Sequence, residues 1–221
     1  MLSSQDIDLF RRVCSSFGID LSPKMIDKFK IYTSLLLEWN QRMHLVSKRD
    51  AEPYRVLRHF VDSLTIFKAI DIPMGAKLLD LGSGAGFPGV PIKIVRADIH
   101  LTLVESIHKK TLFLRKLSDS LGLERADILG WRAEEMGKQP DFRGKFDLVT
   151  AKALGSLRAI TRSGLPLLGA GGVLTAYKGK KARKEAVEAL SSDSSLTNEV
   201  IKVEVPEMDL MRWIVVVSKK V

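Results

Sequence analysis

Apolar positions in the first seventy residues recur at helical spacing. Leu9, Val13 and Phe17 form one stripe, and Gly18 ends it. Ser22 and Pro23 mark a second start, as a side-chain cap followed by the residue best suited to the first helical turn. Met25, Phe29, Tyr32, Leu36 and Trp39 then give that helix one apolar face. A third helix is predicted from Tyr54 to Ala69. Asp71-Ile72-Pro73 breaks the pattern, so a helical cap over 1–72 and a second unit over 73–221 are expected.

After Pro73 short apolar runs alternate with amphipathic segments. Strands are predicted at Lys77–Leu81, Ile99–Val104, Asp127–Gly130, Phe146–Ala151, Gly172–Tyr177, Glu199–Val205 and Trp213–Ser218. Helices are predicted after the first glycine-rich turn, at Ser106–Leu121, at Ser156–Leu168 and at Lys180–Leu190. Alternating strands and helices imply an α/β fold, a mostly parallel seven-stranded sheet covered on both faces. No helix separates the final pair, so the last strand should run antiparallel.

The first strand runs into Asp80-Leu81-Gly82-Ser83-Gly84-Ala85-Gly86-Phe87-Pro88-Gly89. The carboxyl end of such a strand is where open α/β sheets bind ligands. Gly84, Gly86 and Gly89 also spell the dinucleotide pattern. Pro88, however, removes an N–H that a pyrophosphate would use, and a carboxylate at the loop mouth, Asp80, suits a cation such as the amino group of S-adenosylmethionine. Glu105 ends the second strand, where an acid can accept both ribose hydroxyls. A nicotinamide cofactor and S-adenosylmethionine would both use it. The antiparallel finish and the single mononucleotide-binding half favour S-adenosylmethionine.

Charge changes the picture further. Thirty-five Lys and Arg against 26 Asp and Glu give +9 over 221 residues, which points to a polyanionic partner. Lys178, Lys180, Lys181, Arg183 and Lys184 crowd the segment after the fifth strand, where they would flank the ligand cleft and contact RNA. Arg42, Lys48, Arg49, Arg55 and Arg58 suggest a second basic patch. No apolar run reaches the ~18 residues of a membrane span, and residues 1–12 lack the apolar core of a signal peptide. A cytoplasmic protein with no membrane partner is expected. One cysteine, Cys14, excludes a disulfide framework, and the four histidines show no metal-ligand spacing, so no metal is expected.

These residues resemble the bacterial small-subunit ribosomal RNA guanine-N7 methyltransferases, also called the glucose-inhibited division protein B family. The resemblance spans roughly 30 to 219. It rests on Trp39-Asn40, on Arg58-His59-x-x-Asp62-Ser63, on the glycine loop with its Pro88-Gly89-x-Pro91 ending, on Phe113-Leu114, on Ala133-Glu134-Glu135 and on Tyr177-Lys178-Gly179. It implies a Rossmann-like class I methyltransferase that uses S-adenosylmethionine. The substrate it implies is one guanine of the small-subunit (16S) ribosomal RNA, met as RNA or within a ribosomal subunit, and a monomer is the default. By position it places Gly82, Phe87, Ala133 and Glu134 against the cofactor. Lys152, where the family usually has Arg, falls near cofactor and target, and is the catalytic candidate. His44-Leu45-Val46-Ser47 departs from the family's usual Asn-Leu-Thr-Ser.

The expected chemistry agrees. A pyrimidine C5 acceptor needs a cysteine adduct, and Cys14 lies before the sheet begins. An exocyclic amine is typically handled by an Asn/Asp-Pro-Pro-aromatic segment, and Thr150-Ala151-Lys152-Ala153 stands in its place. Guanine N7 has a free lone pair and needs no base. Two other readings stay open at this point: a nicotinamide-dependent oxidoreductase and a non-catalytic RNA-binding module. Arg58, His59, Asp62 and Ser63 share one helical face, either as a junction between cap and sheet or as part of the cleft.

Overall fold

The computed structural model describes residues 2–191 and 193–220. Helices α1 (Ser4–Ser16), α2 (Pro23–Asn40) and α3 (Pro53–Leu64) precede the sheet. Ser3 and Ser22 cap the first two through their side chains, as the sequence predicts for Ser22. The third stops earlier than expected, and a 3₁₀ turn at Thr65–Lys68 finishes the segment.

The remainder runs β1 (Lys77–Leu81), α4 (Gly89–Val95), β2 (His100–Val104), α5 (His108–Leu121), β3 (Ala126–Leu129), α6 (Ala133–Met136), β4 (Phe146–Lys152), α7 (Leu157–Gly164), β5 (Leu168–Lys178), α8 (Ala182–Leu190), β6 (Leu196–Val205) and β7 (Leu210–Lys219). The strands lie in the order β3-β2-β1-β4-β5-β7-β6. All neighbours are parallel except at β7, which pairs antiparallel with both β5 and β6. β7 therefore inserts between two strands that precede it. The order reverses between β1 and β4, and the carboxyl ends of both strands open on that crevice.

Strand alternation sorts the core into two layers. Leu78, Leu101, Leu103, Leu148 and Ile214 face α1 to α5, in one continuous cluster with Phe10, Phe29, Tyr32 and Phe60. Leu79, Leu81, Val149, Leu174 and Val215 face the opposite side, with Met136, Ile160, Ala182 and Leu190. The N-terminal helices thus have no core of their own. They complete the cover of one sheet face. An aromatic chain carries this packing to the ligand-binding edge: Phe29 to Phe60 at 4.8 Å, Tyr32 to Phe60 at 4.9 Å and Tyr32 to Phe87 at 5.5 Å between ring centroids.

Candidate active site

A cavity of about 490 Å³ opens at the carboxyl ends of β1, β2 and β4. The glycine loop forms its floor, and that loop is held from three directions. Ser83 donates to the Asp80 carbonyl at 2.9 Å and Val104 accepts from the Ser83 N–H at 3.0 Å. Gly84 N–H donates to Glu105 Oε2 at 3.0 Å. From the helical layer, the Tyr32 hydroxyl donates to the Ala85 carbonyl at 2.5 Å.

Glu105 meets the sequence expectation in place, and adds a structural duty. Its Oε1 accepts from Ile107 N–H at 2.8 Å while Oε2 holds Gly84. Each carboxylate oxygen keeps a second lone pair beside the cavity. Gly82, Gly84, Phe87, Ala133 and Glu134 also line it, together with Val104, Trp131 and Leu154. An acceptor pair beside a flat apolar slot suits a ribose and an adenine, so the residues present fit S-adenosylmethionine.

Two expected contacts fall elsewhere. Asp80 is fully buried and does not reach the cavity mouth. Its Oδ2 accepts from Gly89 N–H at 3.0 Å, which ties the strand to the start of α4 beneath the loop. Burial pushes this carboxyl up to about 7, against the lowering effect of the Gly89 and Ser83 hydrogen bonds. Side chains alternate along β1, so Asp80 must point into the helical layer between Leu79 and Leu81. Gly86 likewise lies outside the cavity lining, packed against Tyr32.

Lys152 ends β4 and lines the cavity. Its ammonium stands 2.9 Å from Asp62 Oδ2 and 5.0 Å from the centroid of the Phe87 ring. No acceptor meets it in hydrogen-bonding geometry among the described residues. The next residue, Ala153, has a φ of 58°, a left-handed conformation costly for a side chain with a Cβ. It turns the chain away immediately after the lysine. Burial, then the Lys152 charge, hold the His59 imidazole down to about 4. That ring stacks on Phe87 at 5.2 Å and lies 3.8 Å from Asp50.

The loop over the cavity, with Leu45 and Val46, is shaped by Asn40. Its Oδ1 accepts from Leu45 N–H at 2.8 Å and from Val46 N–H at 3.0 Å. Trp39 packs on Phe113 at 5.7 Å. The Trp39-Asn40 and Phe113-Leu114 pairs are therefore one construction.

The basic segment divides. Lys180, Lys181, Arg183 and Lys184 are exposed after β5. Lys178 is not one of them: it is buried, donates to the Gly155 carbonyl at 2.7 Å and pairs with Glu185 at 2.9 Å. Alternation on β5 turns it inward, onto the turn after β4. Arg58 is also engaged internally, donating to the Asp209 carbonyl at 2.8 Å. Arg212, Tyr32 and Asn40 were missed as site residues. Tyr32 and Arg212 act on the site from elements distant in sequence, and Asn40 through the loop that follows it.

Fold and cavity define the class: a Rossmann-like, S-adenosylmethionine-dependent methyltransferase. Solved neighbours share the architecture. A precorrin-6y C5,15-methyltransferase from Geobacter metallireducens superposes with a TM-score of 0.57 at 16% identity, over 80% of this chain and 92% of that one. A mutant of MtNAS in complex with S-adenosylmethionine gives 0.58 at 14% identity, over 99% of each chain.

The sequence pattern of the rRNA small subunit methyltransferase G family (GidB) matches residues 25–212. Ribosomal RNA small subunit methyltransferase G of Caldanaerobacter subterraneus is 39% identical over 99% of this chain and 92% of its own length. The protein of the same name from Pelotomaculum thermopropionicum is 40% identical over 91% of this chain and 85% of its own length. The chain belongs to the rRNA small subunit methyltransferase G family. The oxidoreductase and silent-module readings give way to it.

Proposed function

We propose that this enzyme methylates N7 of one guanine in small-subunit (16S) ribosomal RNA. S-adenosylmethionine supplies an electrophilic methyl group on a sulfonium sulfur. The guanine N7 lone pair forms the new N–C bond as the C–S bond breaks, and the positive charge passes to the purine. No proton moves, so the site's task is to align the acceptor, a contribution of about 7–11 kcal/mol in well-oriented reactions.

The observation that carries this reading is the end of β4. There a lysine with unspent donors faces the cavity, and the imidazole on the wall, His59, is held too acidic to serve as a strong base. An exocyclic amine would have to shed a proton, whereas N7 has none to shed. Cys14 supports the same choice: it is buried in the helical layer and burial pushes its thiol up, which leaves no thiolate for a pyrimidine adduct. In this reading Lys152 donates to guanine O6 and is the catalytic residue. Gly82, Gly84 and Phe87 support the methionine end of the cofactor, Glu105 the ribose, and Ala133 with Glu134 the adenine. Asp80 and Gly86 act through the loop they brace.

The RNA, as a free strand or within the subunit, lies across the exposed cations Lys180, Lys181, Arg183 and Lys184, and across Lys48 and Arg49, which stand between the cavity-lining Ser47 and Asp50. The target base leaves its stack to reach the cavity. In this reading the enzyme works in the cytoplasm, where such a substrate is met. Labelled methyl from S-adenosylmethionine should appear in small-subunit RNA at one guanine, and borohydride with aniline should cleave the strand there. Labelled RNA that resists that cleavage overturns the N7 assignment.

A further inference from the structure

We propose that Asp62 and Arg212 are positioning residues for methyl transfer, acting through Lys152. The inference rests on the reading of Lys152 given above and extends it to two residues 150 positions apart.

Asp62 lies on α3, buried where the helical layer meets the sheet. Arg212, on β7, grips it with a fork: Nε to Oδ1 at 2.5 Å and Nη2 to Oδ2 at 2.8 Å. Both carboxylate oxygens are thereby engaged, and the charges cancel. As a junction between cap and sheet this pair would be complete. Yet a third charge is brought to it, the Lys152 ammonium at 2.9 Å from Oδ2. A second buried cation beside a saturated pair is costly to desolvate. Bracing alone does not account for it.

The arrangement explains how the lysine is aimed. Arg212 is itself fixed, by donation from Nη1 to the Lys178 carbonyl at 3.2 Å. The next residue of α3 is fixed by the Tyr177 hydroxyl, which donates to the Ser63 carbonyl at 2.5 Å. Asp62 therefore has one orientation, and the ammonium is drawn to one point between it and the Phe87 ring. The one carboxylate oxygen beside it engages at most one of the three ammonium protons, so donors remain for a ligand.

Charge balance points the same way. His59, Asp50, Tyr177 and Asp80 are the other titratable groups that bear on this cluster. His59 is neutral near pH 7. The methylated guanine is a cation, and a bare lysine beside it would oppose the reaction. Burial resists ionisation of Asp62, but Lys152 and Arg212 outweigh it and keep the carboxyl below its ordinary range. The carboxylate thus stays ionised and offsets the lysine as the purine becomes positive.

A double-mutant cycle tests this. Single-turnover methyl transfer to small-subunit RNA is measured for wild type, Asp62→Asn, Lys152→Met and the double variant, with S-adenosylmethionine affinity read by calorimetry and folding by thermal melt. Asp62→Asn should fold, keep its S-adenosylmethionine affinity within a few-fold and lose about a hundredfold in rate, the scale of a small misplacement of a reacting group. In the Lys152→Met background the same change should cost nothing further. Equal losses in both backgrounds overturn the proposal and leave the role of Lys152 standing. Full activity of Lys152→Met overturns that role and this inference with it. Arg212→Lys, which keeps the charge and loses the fork, runs in the same cycle should Asp62→Asn fail to fold. Arg212→Lys at wild-type rate also overturns it.

Discussion

Gly86 and Tyr32 are in such close contact that a Cβ on the glycine would lie 2.6 Å from the phenolic oxygen. Gly86 also has a φ of 95°, a region that side chains rarely adopt. Gly84, with a φ of 56°, faces open space instead, its nearest neighbour the Gly82 carbonyl at 3.8 Å. Gly86→Ala should therefore cost roughly 1–3 kcal/mol of stability and Gly84→Ala clearly less. Urea melts of both variants check the order. Equal costs would mean that helix α2 does not press on the loop.

Glu105 should govern ligand affinity. Glu105→Ala removes an acceptor for the ribose and releases Gly84 and Ile107 together. A loss of about 1.5–3 kcal/mol in S-adenosylmethionine binding is expected, the range for a hydrogen bond to a charged group. Calorimetric titration of the folded variant reads it. Unchanged affinity removes Glu105 from the ligand site.

Two buried groups should give opposite dependences on pH. His59 is depressed to about 4, so the unfolded chain takes its proton first and stability falls as pH drops from about 6.5 to 4. Asp80 is raised to about 7, so the native state keeps its proton longer and stability falls as pH rises from about 4 to 7. Asp80→Asn keeps an acceptor for Gly89 and removes the second effect. Relative to wild type it should gain stability steadily between about pH 4 and 7, by at most ~1.4 kcal/mol per unit. Denaturant melts across that range, taken as differences, cancel the other carboxylates. A difference that is flat with pH refutes the raised pKa.

The exposed cations should hold RNA backbone without selecting sequence. Reversing Lys180 and Lys181 to Glu should weaken RNA binding and flatten the slope of log affinity against log salt by ~0.7–0.9 for each cation that meets a phosphate. Lys178→Met should instead lower thermal stability, because its partners Gly155 and Glu185 are internal. A salt titration showing the same slope for the Glu variant reduces this segment to a solvated helix face.

Periodicity alone located the seven strands and the main helices, because burial on one face or both leaves a readable pattern. It also implied the antiparallel finish. It missed α6, four residues long and too short to have a period. Within the site, the glycine loop and Glu105 were legible because adjacent residues form them. Asp80 and Lys178 were misplaced for one shared reason. A residue's type does not tell which way a strand end turns its side chain, and each turned inward, onto Gly89 and onto Gly155. Tyr32 and Arg212 were illegible in principle. Their contacts close over 53 and 150 residues, and only the assembled sheet brings them to the loop and to Asp62.

The insertion of β7 between β5 and β6 has a kinetic meaning. Until β7 docks on β5, the edge strand β6 has nothing to tie it to the sheet, and Asp62 has no guanidinium to meet. The Asp62–Arg212 contact spans 150 residues, among the longest-range in the molecule, and such contacts form late because loop closure must come first. The turn within the glycine loop closes between near neighbours and can take shape early; the lysine beside it cannot be aimed until the end. Competence in catalysis should therefore appear in the final phase of refolding, after the ligand pocket is already able to bind.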